Sequence, residues 1–206
     1  CPGAATTLIN EDFEDTTVAY TAMPSDDLTD AANRNYYGIV TPATPLPSTN
    51  TIDGILGNNY YGAEDTDSAT NPSDPISLVW TGLDISAMST ITFSGYFAED
   101  EANDMSGDWD TNSSVRIEYA IDGGAWTPAI AYESELGGDG NETNEFARLD
   151  TNFDGTGDGA LLTDVLTQQS NSVAVSGATM DVRIIIEELN TGDEDIALDN
   201  IRVTGN

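Results

Sequence analysis

The residues with the plainest chemistry form one short run, Asp150-Thr151-Asn152-Phe153-Asp154-Gly155-Thr156-Gly157-Asp158-Gly159. Calcium takes about six to eight hard oxygen ligands in a flexible geometry, and carboxylates at alternate positions of a tightly turned loop can converge on one ion. Asp150, Asn152, Asp154 and Asp158 stand at the first, third, fifth and ninth positions of an EF-hand-like loop. Gly155 falls at the sixth, where the chain must turn sharply, and Thr156 offers its backbone carbonyl at the seventh. The twelfth position is Leu161, where an EF-hand carries a bidentate Glu. The pattern therefore predicts a DxDxDG-type calcium loop without flanking helices. The alternative is an Asx-rich turn that holds no ion.

Two other groups of acids invite the same chemistry. Glu11-Asp12-Phe13-Glu14-Asp15 lies near the start of the chain and Asp199 near its end. If the first and last strands lie side by side, Glu11, Glu14 and Asp199 can share a structural calcium, with Asp193 and Asp195 close to the same edge. The competing reading is a charged, solvated strand end. The third group runs from Glu99-Asp100-Glu101 to Gly107-Asp108-Trp109-Asp110 and supplies Asp100, Asp108 and Asp110. A calcium site and simple acidic solvation account for it equally well.

Catalytic constellations fare worse. The chain contains no histidine and no lysine. That removes a Ser-His-Asp triad, a Cys-His pair, a zinc-histidine site, a Schiff base and a phosphate-binding lysine. Glycosidases need only two carboxylates, but 37 acidic residues supply a pair anywhere, so the pair is no signal. The expectation is a protein that is not an enzyme. Aromatic side chains that could stack on sugars are Tyr36-Tyr37, Tyr60-Tyr61, Trp109 and Trp126, with Trp80 read as core. Trp109, set among acids, is the expected exposed platform. In a strand, adjacent tyrosines face opposite ways, so one of each pair is free for a glycan, and Tyr37 and Tyr61 are the candidates.

The elements that must position these groups read as strands. Val115, Ile117, Tyr119 and Ile121 alternate with polar neighbours, and Val182, Ile184 and Ile186 repeat the pattern. The run 91–97 and the segments 78–80, 126–132 and 171–175 read the same way, and Asp122-Gly123-Gly124 is a hairpin turn. A short helix is expected over 26–34, and residues 41–51, rich in Pro, Thr and Ser, form a surface loop. Near the end the apolar phase is even at Ile196 and Leu198 but odd at Ile201 and Val203. A strand cannot change faces without a bulge, which places one at Asp199-Asn200. The whole pattern predicts an all-β, two-sheet jelly-roll sandwich with calcium-binding loops, as a single domain over 1–206.

A formal charge of −32, from 37 acids against five arginines, repels nucleic-acid backbones and anionic lipid. It also destabilises a compact fold unless cations or salt neutralise it. No apolar run approaches the ~20 residues of a membrane span. The lone cysteine, Cys1, excludes an intrachain disulfide and is open to lipidation, interchain pairing or neither. The opening Cys1-Pro2-Gly3 reads as a mature form that has lost a leader.

Several stretches together resemble a known family. They are Ser94-Gly95-Tyr96-Phe97-Ala98-Glu99-Asp100 with Asp108-Trp109-Asp110, and Val115–Tyr119 with Ile121–Trp126. To these are added 149–159 and the ending 192–203. The chain resembles bacterial secreted jelly-roll modules found in extracellular nucleases and adhesins, similar in outline to carbohydrate-binding modules and MAM-like domains. The resemblance is close over residues 88–204 and loose over 8–87. It implies a non-catalytic, extracellular or cell-surface module in which Glu14 and Asp199 match a glutamate–aspartate pair that often holds structural calcium. The expected function is a calcium-binding subunit of an extracellular filament, sheath or adhesive surface, with residues 1–8 as an assembly segment lying on a neighbouring copy. The alternative is a glycan-binding module of a secreted protein.

Overall fold

The computed structural model describes residues 5–15, 17–24, 28–30, 35–43, 52–66, 74–100, 108–135, 145–192 and 194–206, with 28–30 described as backbone. Thirteen strands account for most of them. One sheet holds β1 (Thr6–Glu11), β3 (Leu28–Asp30), β4 (Asn35–Val40), β5 (Tyr60–Glu64), β7 (Thr90–Ala98), β11 (Thr167–Ala174) and β13 (Asp195–Gly205). Its order is β11-β7-β13-β5-β4-β3, with β1 also paired to β13. The second sheet is β10 (Ala147–Leu149), β9 (Thr127–Ser134), β8 (Ser114–Ile121), β12 (Thr179–Glu187), β6 (Ile76–Asp84) and β2 (Thr21–Met23), in that order. All the ladders are antiparallel, and the two sheets close over a common core as a jelly-roll sandwich.

The core follows from the alternation. Ile91, Phe93 and Phe97 point inward from β7, Val115 and Ile117 from β8, and Val182, Ile184 and Ile186 from β12. Phe93 stacks on Tyr119 across the sheets at 5.4 Å between ring centroids, and Phe97 meets Tyr132 at 5.2 Å. The Asp122-Gly123-Gly124 turn joins β8 to β9 with positive φ at Asp122 and Gly123, which the tight turn demands. No helix is found among the described residues of 26–34, because Leu28–Asp30 pairs with Asn35–Tyr37 at the sheet edge. A three-residue strand is too short to show a period in sequence. The described residues contain no helix long and apolar enough to cross a membrane.

The last strand organises the first sheet. Asp195–Leu198 pair with Tyr61–Glu64 of β5, whereas residues 201–205 pair with β1, Ile201 opposite Glu11 and Gly205 opposite Thr6. On its other side β13 pairs with β7 from Ala197 to Gly205, with a register shift between Asp199 and Arg202 and Asn200 at φ 46°. The bulge predicted from the phase break is there, and it marks the point where β13 passes from one partner to the next. Above it, Ile196 and Leu198 face the core; below it, Ile201 and Val203 do. The segment expected to reach a neighbouring copy is instead committed, from Thr6 onward, to its own sheet. Cys1 and the rest of 1–4 lie outside the described residues.

Candidate metal centres

Where β13 changes partner, two carboxylates far apart in sequence meet one turn. Glu14 follows β1, with Phe13 at φ 56° turning the chain out of the strand. Its Oε1 accepts the backbone N–H groups of Asn58 (2.7 Å) and Asn59 (3.0 Å). Asp199, in the bulge, accepts the N–H of Leu56 at 3.0 Å and that of its own neighbour Asn200 at 2.6 Å. Gly57 allows the close approach: its φ is 121°, and a Cβ there would overlap the Glu14 carboxylate. Asn59 Nδ2 lies 3.4 Å from the carbonyl of Phe13 and 3.3 Å from that of Glu14, tying the turns together. Burial raises the Asp199 pKa, its backbone donors oppose this, and the Glu14 charge adds to the rise. The donors from Asn59 and Asn58 hold Glu14 below its ordinary value. Glu14 and Asp199 thus accept from the same 56–59 turn. Glu11 Oε1 caps its own turn, accepting the N–H of Phe13 at 3.1 Å. The turn at 56–59 was not legible in sequence, because nothing local says that it folds back on Glu14.

The loop after β10 is a succession of turns in which the side chains of Asp150, Asn152 and Asp154 each accept a backbone N–H two residues on. Asp150 is buried and accepts three backbone N–H groups, from Asn152 (3.1 Å), Phe153 (2.6 Å) and Gly155 (2.9 Å). Asn152 Oδ1 accepts from Asp154 N, and Asp154 Oδ1 from Thr156 N, at 3.0 and 3.2 Å. Asp158 closes the ring on the N–H and hydroxyl of Thr151, which hold its carboxyl below the usual range, and on the amide of Asn152. Gly157 fits against the Glu133 carbonyl and Arg148, where no side chain could. Asp150, Asn152, Asp154 and Asp158 thus share one coiled turn, with their amide and carboxylate oxygens engaged by the loop's own donors.

The third group gathers differently from expectation. Asp195 sits opposite Glu64 across the β13–β5 ladder and accepts the N–H of Asp100 at 3.2 Å. Glu64, Glu99, Asp100 and Asp195 are all buried. Desolvation, with the charges of Asp100, Glu64 and Asp108, pushes the Asp195 pKa well up. Burial, and then Asp195, Tyr36, Asp100 and Glu64, raise the Tyr60 pKa. Asp195 is four residues from Asp199 along β13, about 13 Å at ~3.3 Å per residue, so it belongs with Asp100 and Asp108 and not with Glu14. Glu64 is a member that sequence could not supply, since only the strand register places it there. Asp110 donates its N–H to buried Glu194 at 2.7 Å. Asp193 lies outside the described residues, as does 101–107. Among the described residues no three His, Cys, Asp or Glu side chains form a ready-made metal set.

The aromatic platforms are overturned. Trp109 is 0% exposed, and its indole N–H donates to the Asp195 carbonyl at 3.3 Å. Tyr37 and Tyr61 are 3% and 1% exposed and face the core between the sheets. Their neighbours Tyr36 and Tyr60 are buried too, because Ile52 and Ile55 fold over the outer face of β4 and β5 and make a second small core there with Leu166. Trp126 is exposed, with the Arg183 guanidinium 4.5 Å from its ring centroid.

No protein-family model matches the chain, and no curated protein does. Among solved structures, it is similar to the CBM22-1-GH10 modules of endo-1,4-beta-D-xylanase 10B from Clostridium thermocellum, complexed with xylohexaose, at TM-score 0.47 and 9% identity. That match covers 97% of this chain and 28% of the xylanase chain. The chain is also similar to the K1 cleaved adhesin domain of Lys-gingipain from Porphyromonas gingivalis, at TM-score 0.45 and 17% identity over 98% of this chain and 99% of that one. The K2 cleaved adhesin domain of Lys-gingipain matches at TM-score 0.45 and 16% identity, over 98% and 99%.

Proposed function

We propose that the chain is a secreted, calcium-stabilised and non-catalytic module of an extracellular filament, sheath or adhesive surface. The meeting of Glu14 and Asp199 at the strand handover carries this reading. Two carboxylates held against one turn repel, and a shared cation would turn that repulsion into a clasp across β1, β13 and the 56–59 turn. The chemistry fits calcium: carboxylates, asparagine amides and backbone carbonyls are hard oxygens, with no histidine in the chain to favour zinc. Two carboxylates leave the remaining ligands to carbonyls and water, as calcium permits. Glu14 and Asp199 would hold one ion; Asp150, Asn152, Asp154, Asp158 and the Thr156 carbonyl would hold a second. Bound calcium supplies charge neutralisation and cross-linking. The same neutralisation would let copies carrying −32 each approach one another, since at about 0.1 M salt their repulsion is screened only beyond ~10 Å. No residue set for catalysis stands against this reading, given a chain without histidine or lysine.

The test is thermal unfolding with and without chelator, beside calorimetric titration of calcium. One ion bound only by the folded state adds about 2.7 kcal/mol at a hundredfold excess over its dissociation constant. EDTA should therefore lower the melting temperature by about ten degrees or more, Asp199→Ala should remove one class of site, and Asp154→Ala the other. Identical melting curves in EDTA and in calcium would refute the reading.

A further inference from the structure

The outer face of the first sheet, below the bulge, carries a broad run of strand without acidic side chains. Neither β7 nor β11 contains an Asp or Glu, and neither does the stretch 200–205 of β13. With 37 acids in 206 residues, two adjacent strands and the neighbouring half of a third without one make an acid-free strip on a strongly negative protein. Thr92 and Ser94 of β7, Ser170 and Ser172 of β11 and Thr204 of β13 sit side by side on it by register, with Thr92 and Ser172 hydroxyls 2.8 Å apart. At its upper end lies a groove of about 350 Å³ lined by Leu56, Tyr96, Gln168, Asn200 and Arg202.

Arg202 adds an independent observation. Arg116, Arg148 and Arg183 are each ion-paired with glutamates. Among the described residues Arg202 is in no ion pair; its guanidinium is held at 3.2 Å by the Asn200 side chain, at the mouth of the groove. In a chain so rich in carboxylates, an arginine kept clear of them and steered by an amide leaves its remaining donors to something else.

We propose that this groove and strip bind a neutral polysaccharide, one sugar ring lying against Tyr96 and Leu56 with its hydroxyls held by Arg202, Asn200 and Gln168. The groove falls at the small end of ligand pockets, ~300–1,000 Å³, which suits a ring or two, and the hydroxyl-lined strip runs on from Tyr96 to Thr92 for about 13 Å. Tyr96 and Leu56 supply the apolar surface of a ligand site, and Arg202, Asn200 and Gln168 the few polar groups that fix orientation. A protein partner is disfavoured by the lack of an apolar centre on the strip. A polyanion is disfavoured by Asp199, whose carboxylate accepts from Leu56 at the groove's rim, and by the net charge. The inference stands apart from the calcium reading.

Affinity electrophoresis of the whole chain through gels containing mixed-linkage β-glucan, xylan, galactomannan or polygalacturonate, in calcium and in EDTA, tests it. Retardation by at least one neutral polysaccharide is expected, with none by polygalacturonate. Arg202→Ala and Gln168→Ala, both surface changes, should each weaken retardation about tenfold, and Tyr96→Ala should abolish it, while Trp126→Ala migrates as wild type. Retardation that persists in EDTA separates this site from the metal. The proposal is overturned if no neutral polysaccharide retards the chain, if polygalacturonate alone does, if folded Arg202→Ala and Gln168→Ala are retarded like wild type, or if Trp126→Ala abolishes binding.

Discussion

In EDTA the protein should become more stable on mild acidification. Glu133 and Glu194 are buried, and burial pushes each carboxyl up to about 7 from 4.5. For Glu133 the Arg116 charge opposes the rise, and for Glu194 the hydroxyl of Ser113 and three backbone donors do. A carboxyl whose folded pKa is raised holds its proton more firmly in the native state, so its stabilising share is present at low pH and is lost as pH climbs through 7. Integrating between pH 7 and pH 5 gives about 2 kcal/mol for each group, or about 4 kcal/mol for both. Asp195 acts in the same direction, and so does easing the repulsion of −32 charges. The opposite contribution of Glu14, Asp84, Asp122 and Asp158, whose folded pKa values are lowered, is lost only as pH falls through and below the ordinary carboxylate range. At about 2–4 °C per kcal/mol for a chain this long, the melting temperature in EDTA should rise by roughly 10 °C from pH 7 to pH 5. Calorimetry in EDTA, with urea titrations at the two pH values, measures it. A melting temperature that falls steadily over that interval would mean that these carboxyls are solvated or paired with cations, and the burial argument would fail.

Two substitutions probe the geometry directly. Gly57→Ala places a Cβ where the Glu14 carboxylate lies, at a φ that L-residues avoid, and should cost about 1–3 kcal/mol while removing the calcium class that Asp199→Ala removes; wild-type stoichiometry in calorimetry would show that Glu14 is not a ligand. Trp109→Ala should cost about 3–5 kcal/mol in urea unfolding, the figure for emptying a core indole, and a near-neutral result would return that residue to the surface.

What the sequence disclosed depended on whether one face or two are covered. In β7, β8 and β12 one face meets the core and the other is polar, so alternation shows through. The slip at Asp199-Asn200 was legible for the same reason, because a change of phase is visible only where a phase exists. Tyr36-Tyr37 and Tyr60-Tyr61 lie in strands buried on both faces, where alternation disappears and the local pattern cannot say which ring is exposed. Trp109 between two aspartates looks solvated, yet its backbone bridges to Glu145 and its ring is sealed in the core. The Glu14–Asp199 meeting was foreseeable from the ends of the chain pairing; the Asp195–Glu64 meeting was not, since it depends on a register that no short motif encodes. The groove at Tyr96 joins a loop to three strands and could be seen only once they were laid together.

The pairing of β1 with β13 also sets how the molecule yields to tension. Thr6 lies opposite Gly205, so a force entering at one and leaving at the other pulls on neighbouring points of an antiparallel ladder. Such a load parts the hydrogen bonds one after another, as a zipper opens, and not all at once as in sliding. The peel would travel along β13 toward Ile201 and Glu11 and reach the bulge, where the next bonds belong to β5 and the Glu14 and Asp199 carboxylates flank the path. A cation held there would rivet the seam, dividing the module into a first strand that gives way at low force and a body that holds.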